Sequence, residues 1–312
     1  MRPDRVPPTG VAEVARTPSA LGTVLFMTIT KVGVVGCGLM GSGIAEVCAR
    51  AGLDVVAVDT TDEAVAAGAA RIEKSLDRAV RAEKLLESER AEAMANLEFD
   101  THLGRMADRD LVIEAIVENE EAKVSVFSEL DGIVASPEAI LASNTSSIPI
   151  MKLAMATGRA EYVIGIHFFN PVPIMQLVEL VPSLLTSDKT SARAADFAAG
   201  RLGKRVVHSQ DRAGFVVNAL LIPYILSAIR MLESGFASAE DIDAGMTLGC
   251  NHPMGPLRLA DLIGLDTTMA VAESLYEEFK EQLYAPPPLL SRMCDAGLLG
   301  RKTGRGFYDY AR

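Results

Sequence analysis

The chain has 312 residues, 49 % of them apolar, and its 41 acidic and 30 basic side chains give a formal charge of −11. That length and apolar content can fill the cores of two domains. The acidic balance argues against a nucleic-acid binder, whose footprint is normally basic, but leaves room for an anionic small molecule, which needs only a local patch of Lys and Arg.

Residues 1–26 mix Pro, Gly, Arg and small residues without periodicity. Their apolar stretch TVLFM is short for a targeting signal, and Asp4 and Glu13 break the acid-poor pattern of an organelle signal. Residues 1–28 are expected to be a disordered extension, or else residues 1–26 precede a true start at Met27, and no function is assigned to them.

At Thr30 the text changes. Lys31 to Val35 is a β-rich apolar run leading into Gly36-Cys37-Gly38-Leu39-Met40-Gly41, with helical spacing following at Ile44, Val47 and Cys48. A second run, 54–58, ends on Asp59, eighteen residues beyond Gly41. Strand, glycine turn, helix, strand and acid in that order are the dinucleotide-binding fingerprint. Gly36 permits the tight turn, Gly38 lets backbone approach a pyrophosphate at the helix amino end, and Gly41 permits close packing of helix on strand. Leu39 and Met40 lie in the same turn and are counted with the cofactor contacts. Asp59 is placed to accept hydrogen bonds from the adenosine ribose hydroxyls. It would repel a phosphate, and Thr60 and Thr61 supply no Arg to hold one, so NAD is expected rather than NADP. Cys37 reads as a small filler.

Residues 62–95 form a long helical stretch rich in Ala, Arg, Lys and Glu. It reads as a solvated, salt-bridged pair of helices or as a projecting arm whose basic residues meet an anionic ligand. Further on, 97–100 fits a short strand, 111–130 a strand running into an acid-capped helix, and 139–148 a strand ending in a polar turn. Such alternation predicts an α/β fold with a doubly wound, mostly parallel sheet, whose ligands lie beyond the carboxyl ends of the strands. Glu118, Lys123, Asn144, Ser146 and His167 all fall at or just after such ends. A solvated helix start is the plainer reading of Glu118 and Lys123.

The stretch YVIGIHFFNPVPIMQLVELV (162–181) holds one of only four histidines, His167, at the end of an apolar run, and Glu179 inside a second such run. A carboxylate buried among Leu and Val is costly unless something pairs with it. From Asp211 onward the pattern is nearly all helix. FVVNALLIPYILSAIRMLESG is apolar almost all round, as expected of a helix buried between subunits. SAED (238–241) is a capping-box-like helix start. The uncharged run Ala213 to Ile229 is interrupted by Asn218 and Pro223 and is shorter than the ~20 residues of a spanning helix, so no membrane partner is expected. The four cysteines form no CxxC pair or metal-ligand spacing. They read as reduced thiols of a cytoplasmic protein, and no metal is expected.

Seven motifs occur in order: VGVVGCGLMGSGIA, VIEAIVEN, SNTSS, IHFFNPVPIMQLVEL, GFVVNALL, HPMGP and GRKTGRGFYDY. Together they resemble the L-3-hydroxyacyl-CoA dehydrogenase family, in particular its short single-function 3-hydroxybutyryl-CoA members, over about residues 29–310. The resemblance implies a Rossmann-type NAD-binding domain over 29–212 with a helical-arm insertion at about 62–95. An all-helical substrate and dimerisation domain would follow over 213–312. It implies His167 as catalytic base with Glu179 as its partner, Ser146 and Asn218 positioning the thioester, and Asn170 contacting CoA or substrate. It implies cofactor contacts at Glu118, Lys123 and Lys302, beside those at Asn144 and Ser146. In the arm, Ser75, Arg78, Arg81 and Lys84 fit the family's CoA-facing positions, while Ala82 stands where a second adjacent Lys is often found.

The chemistry agrees with these roles. Oxidising a secondary alcohol needs a base for the hydroxyl proton, and a neutral histidine suits that task near operating pH. A carboxylate on the neighbouring strand, reached through the NPVP reversal, would fix its tautomer and stabilise the imidazolium. The expected activity is NAD-dependent oxidation of a short-chain (S)-3-hydroxyacyl-CoA, 3-hydroxybutyryl-CoA first, and the reverse, by a homodimer in fatty acid β-oxidation. A dehydrogenase of free hydroxy acids or sugar acids, and a catalytically silent NAD-binding or structural protein, are the competing readings.

Overall fold

The structure is a computed structural model and describes residues 28–310, so the expected extension lies, but for Thr28, outside the described residues. Short β-branched runs build the first half. Lys31–Val35 (β1), Leu39–Arg50 (α1) and Asp54–Val58 (β2) form a parallel β-α-β unit. Asp62–Arg81 (α2) and Glu87–Ala95 (α3) then lead to Leu97–Asp100 (β3). The alternation continues through Leu111–Glu114 (β4), Glu120–Ile133 (α4), Ile140–Ser143 (β5) and Ile150–Met155 (α5). Val163–Phe168 (β6), Leu177–Pro182 (β7), Asp188–Asp196 (α6) and Arg205–His208 (β8) complete it.

The eight strands make one sheet in the order β3-β2-β1-β4-β5-β6-β7-β8, and only the β6–β7 pair is antiparallel. Central strands are buried on both faces, as a helix-covered parallel sheet requires. Ile44, Ile72 and Leu76 cover one face, Phe127, Leu130 and Leu153 the other. The doubly wound sheet expected from the sequence is present. The edge strand β8 was not foreseen, because RVVH is four residues long, half-exposed, and carries no period of its own.

The order reverses between β1 and β4, which is where a doubly wound sheet opens a crevice. Gly36 ends β1 at φ +102°, and a Cβ there would stand 2.6 Å from the Ala115 carbonyl oxygen just past β4. Residues 62–95 are two helices, with the chain turning back at Glu83 (φ +56°). Their inner residues Ile72, Leu76 and Ala93 join the core with α1, and Arg90 bonds Asp77 and approaches Glu73 across the pair. The pair is salt-bridged and docked along α1, and its outer face, with Arg78, Arg81 and Lys84, is exposed.

Val217–Glu233 (α7), Ala239–Ala244 (α8), Pro256–Ile263 (α9), Leu265–Phe279 (α10) and Pro288–Asp295 (α11) form the helical half, around Ile225, Leu226, Ile229, Leu257 and Leu275. Ser238 caps α8, its hydroxyl accepting the Asp241 N–H at 3.1 Å. Asp261 in α9 accepts from the Phe307 and Tyr308 N–H groups and from the Tyr310 hydroxyl, which pins the turn-rich tail. Helix α7 is not buried all round in the single chain, for Leu220 and Met231 stay in solvent. Among the described residues no helix is long and apolar enough to cross a membrane.

Candidate active site

The antiparallel register of β6 and β7 sets His167 directly opposite Glu179, and directly opposed residues share a face of the sheet. His167 Nδ1 lies 2.8 Å from Glu179 Oε2. The other carboxylate oxygen, Oε1, accepts the backbone N–H groups of Val216 and Val217 at 3.0 and 2.9 Å, at the amino end of α7. Glu179 is fully buried, and these three donors are what make its burial tolerable. An ionised carboxylate only accepts, so the proton sits on Nδ1 and the lone pair on Nε2. Ser146 Oγ stands 3.0 Å from that Nε2, and the rings of Phe169 and Phe215 flank the imidazole at 4.6 and 5.5 Å. A base with an oriented lone pair, a hydroxyl beside it and apolar walls is equipped for proton transfer at an alcohol or ketone oxygen.

The glycine turn lies at the carboxyl end of β1. Gly38 caps α1 in an extended conformation without a side-chain cap, and a Cβ on it would meet nothing within 4 Å, so the helix amino end faces open space. A Cβ on Gly41 would stand 1.7 Å from the Gly36 carbonyl oxygen, confirming its packing role. Gly41→Ala should therefore weaken NADH binding by about tenfold to a hundredfold, the worth of one charge-assisted hydrogen bond. Fluorescence titration measures it; unaltered affinity in a folded variant would show that the turn tolerates the displacement.

Asp59 ends β2 with Oδ2 on the Cys37 N–H and Oδ1 on the Thr60 N–H, both at 2.7 Å, which brings the carboxylate against the turn. The turn is not free of arginine: Arg71, from α2, donates to the Cys37 carbonyl at 3.0 Å. With Arg71 there, the expected preference for NAD would have to come from the Asp59 carboxylate, not from a lack of nearby cations. Burial pushes the Cys37 thiol up to about 12, in keeping with a filler. Open backbone donors, close glycine packing and a ribose-side acid fit the adenosine diphosphate half of NAD.

Lys123 is fully buried, and that removes the solvated-helix reading. Its ammonium bonds Glu114 Oε1 at 2.6 Å and lies 3.3 Å from Glu118 Oε2. Glu114, which the sequence reading did not single out, is also fully buried and accepts from the Ile116 N–H and the Ser143 hydroxyl. Its signal was available: an acid closing an apolar strand at the same sheet edge as Gly36 and Asp59. Glu118 Oε1 accepts from the Thr145 hydroxyl, the Ser146 N–H and the Ser147 hydroxyl, so it shapes the turn that carries Ser146. Burial works against ionising Glu118, but Lys123 and the Thr145 and Ser146 donors outweigh it and hold the carboxyl below its ordinary 4.5. A carboxyl depressed in the fold stabilises above its unfolded value and loses that contribution as pH falls through its folded one. The stability gap between wild type and Glu118→Gln should thus be complete well above pH 4.5 and shrink as pH falls below it, as urea unfolding across that range would reveal.

Other expected residues fall in different company. Asn144 Oδ1 accepts the Phe168 N–H at 2.9 Å and ties the end of β5 to the strand bearing His167. Asn218 is half-buried in the first turn of α7, next to Val217, the donor to Glu179. Asn170 is exposed at the cis Asn170–Pro171 bond. Ser75 turns inward to Glu46, a buried carboxyl that desolvation pushes up, while Arg78, Arg81 and Lys84 stand in solvent. Lys302 is held by both oxygens of Asp266 in the helical half, at 2.6 and 2.5 Å, and that aspartate is the partner the structure gives it. A cavity of about 500 Å³ between α1, α3 and the segment before β8 includes Arg50, Arg201 and Lys204 in its lining, but none of the dyad or glycine-turn residues.

Comparison with known proteins gives the family. The family model of the 3-hydroxyacyl-CoA dehydrogenase NAD binding domain matches residues 31–212, and that of the 3-hydroxyacyl-CoA dehydrogenase C-terminal domain matches 214–310. A 3-hydroxybutyryl-CoA dehydrogenase of Mycobacterium tuberculosis is 58 % identical over 282 residues, 90 % of this chain and 99 % of that protein. The crystal structure of M. tuberculosis FadB2 has a TM-score of 0.90 at 57 % identity, covering 91 % of this chain and 100 % of that one. The (S)-3-hydroxybutyryl-CoA dehydrogenase PaaH1 of Ralstonia eutropha has a TM-score of 0.86 at 51 % identity, with coverage of 91 % and 100 %. With both family models matched in order along the same fold, the chain belongs to the 3-hydroxyacyl-CoA dehydrogenase family.

Proposed function

We propose that this protein oxidises a short-chain (S)-3-hydroxyacyl-CoA, 3-hydroxybutyryl-CoA first, to the 3-ketoacyl-CoA, and catalyses the reverse reduction. The observation that carries the reading is the chain of contacts Ser146–His167–Glu179 at the carboxyl edge of the sheet that holds the glycine turn. NAD, when bound, supplies the hydride acceptor. His167 Nε2 takes the hydroxyl proton, and Glu179 stabilises the imidazolium that results. In the reverse direction the imidazolium returns that proton to the ketone oxygen. The Ser146 hydroxyl and the Asn218 amide orient the reacting oxygen or the thioester carbonyl. Arg78, Arg81 and Lys84, exposed on the arm, are offered to the CoA phosphates.

Assembly as a homodimer belongs to the same reading. Leu220 and Met231, eleven residues apart and hence on one face of α7, are exposed together with Phe236 and Leu248 of the helical half. A cytoplasmic site in fatty acid β-oxidation accords with four free cysteines and the relatives' substrates.

The test follows NADH consumption with acetoacetyl-CoA, with NADPH as a control and His167→Ala alongside. Fast turnover with NADH, slow turnover with NADPH, and a loss of about 10²–10⁴ in the variant are expected of a general base. A folded, NADH-binding wild type that does not turn over acetoacetyl-CoA would reject the substrate and direct attention to free hydroxy acids.

A further inference from the structure

We infer that the amino end of α7 is a positioning element of the base: the backbone N–H groups of Val216 and Val217 claim Oε1 of Glu179 and so decide which oxygen, and which kind of group, faces His167. The inference rests on the reading of His167 as the base. Its consequence is that main-chain groups at the start of the helical half take part in the proton-transfer apparatus.

The geometry is built for this. Gly214 and Phe215 are consecutive left-handed residues, at φ +75° and +48°, immediately before the two donors. Successive N–H groups after such a turn converge on one acceptor. Here the acceptor is a fully buried carboxylate, and both bonds to it are 3.0 Å or shorter. A left-handed phenylalanine is strained and persists only where its surroundings enforce it. Its ring is buried and packs edge-on against His167, 5.5 Å between centroids, so one residue both aims the donors and walls the base. Gly214 cannot be exchanged freely: a Cβ there would stand 2.9 Å from the Ala219 nitrogen and from Leu275.

The segment is moored on both sides. Asp211 accepts the Ile150 and Met151 N–H groups of α5, and Glu278 of α10 accepts the Ala213 N–H, each at 2.7 Å. Ser274 of α10 reaches the Ser147 carbonyl, beside Ser146, at 3.3 Å. With Oε1 engaged, Oε2 alone is left for Nδ1, the proton stays on Nδ1, and Nε2 keeps its lone pair toward Ser146 and substrate.

Two measurements test this. In the first, the amide of Val217 is replaced by an ester, which removes the N–H and keeps the side chain. The kcat should fall about tenfold to a hundredfold with KM for acetoacetyl-CoA nearly constant, and the Nδ1–H of His167, still held by the ionised carboxylate, should change its ¹H shift as that carboxylate loosens. The same ester at Ser234, whose N–H bonds the Arg230 carbonyl at the far end of α7, should alter neither. Equal losses at both positions, or no loss at Val217, would overturn the inference. The second measurement needs no turnover: in Glu179→Gln the two N–H groups should hold the carboxamide oxygen, turn its NH₂ toward Nδ1, and move the histidine proton to Nε2. Persistence of the Nδ1–H tautomer in that variant would equally refute the role of α7. If His167→Ala instead retained full activity while the tautomer moved as expected, the function reading would fail and the structural coupling would stand.

Discussion

Glu179→Gln should lower kcat by about three to four orders of magnitude while leaving NADH binding and the fold intact. The change is nearly isosteric, so no cavity opens, and the buried site loses a charge and gains no bulk. What it loses is the ability to accept from both sides. Val216 and Val217 present two donors to one end of the side chain and His167 Nδ1 lies at the other. A carboxamide has only one oxygen, and two N–H groups outbid one ring nitrogen for it. The amide NH₂ then faces Nδ1, which must accept, and the proton passes to the nitrogen that should be taking one from substrate. A wrong-tautomer histidine costs about 10⁴ in the analogous Ser-His-Asp system. Stopped-flow reduction of acetoacetyl-CoA at saturating NADH isolates the step; a loss under about tenfold would mean that Glu179 serves the core and not the reaction.

Lys123→Met should destabilise the protein by about 3–5 kcal/mol, the cost of stranding one partner of a buried ion pair. Glu114 is as deeply buried as Lys123, and the Ile116 N–H and Ser143 hydroxyl cannot alone replace a cation at 2.6 Å. Adding Glu114→Gln to Lys123→Met should restore much of the loss, because no buried charge then remains. Urea midpoints for the two single variants and the double variant give the coupling. Additive losses would show that the two groups do not depend on each other. The same substitution also frees Glu118, which shares the ammonium and holds Ser146. Activity in Lys123→Met should accordingly fall further than the population of folded protein explains.

The first β-α-β unit, the glycine turn with Asp59 and the helical second half were legible in the chain alone, whereas the pairing of His167 with Glu179 came from the family resemblance of IHFFNPVPIMQLVEL. The first three are local matters: a glycine's φ and the periods of strand and helix depend on neighbours in the chain. The sequence could not place what is set by residues distant along it. Arg71 on the Cys37 carbonyl, Lys123 drawn inside by Glu114 and Lys302 taken by Asp266 are all long side chains that find partners only once helices dock. Strand β8 exists because β7 offers it an edge, not because RVVH demands a strand. The second hold on Glu179 is the clearest case. A buried charge states in the sequence that it needs donors, but Val216 and Val217 supply them with backbone, which every residue carries alike. Only the packing of α7 against the sheet edge decides which N–H groups those are.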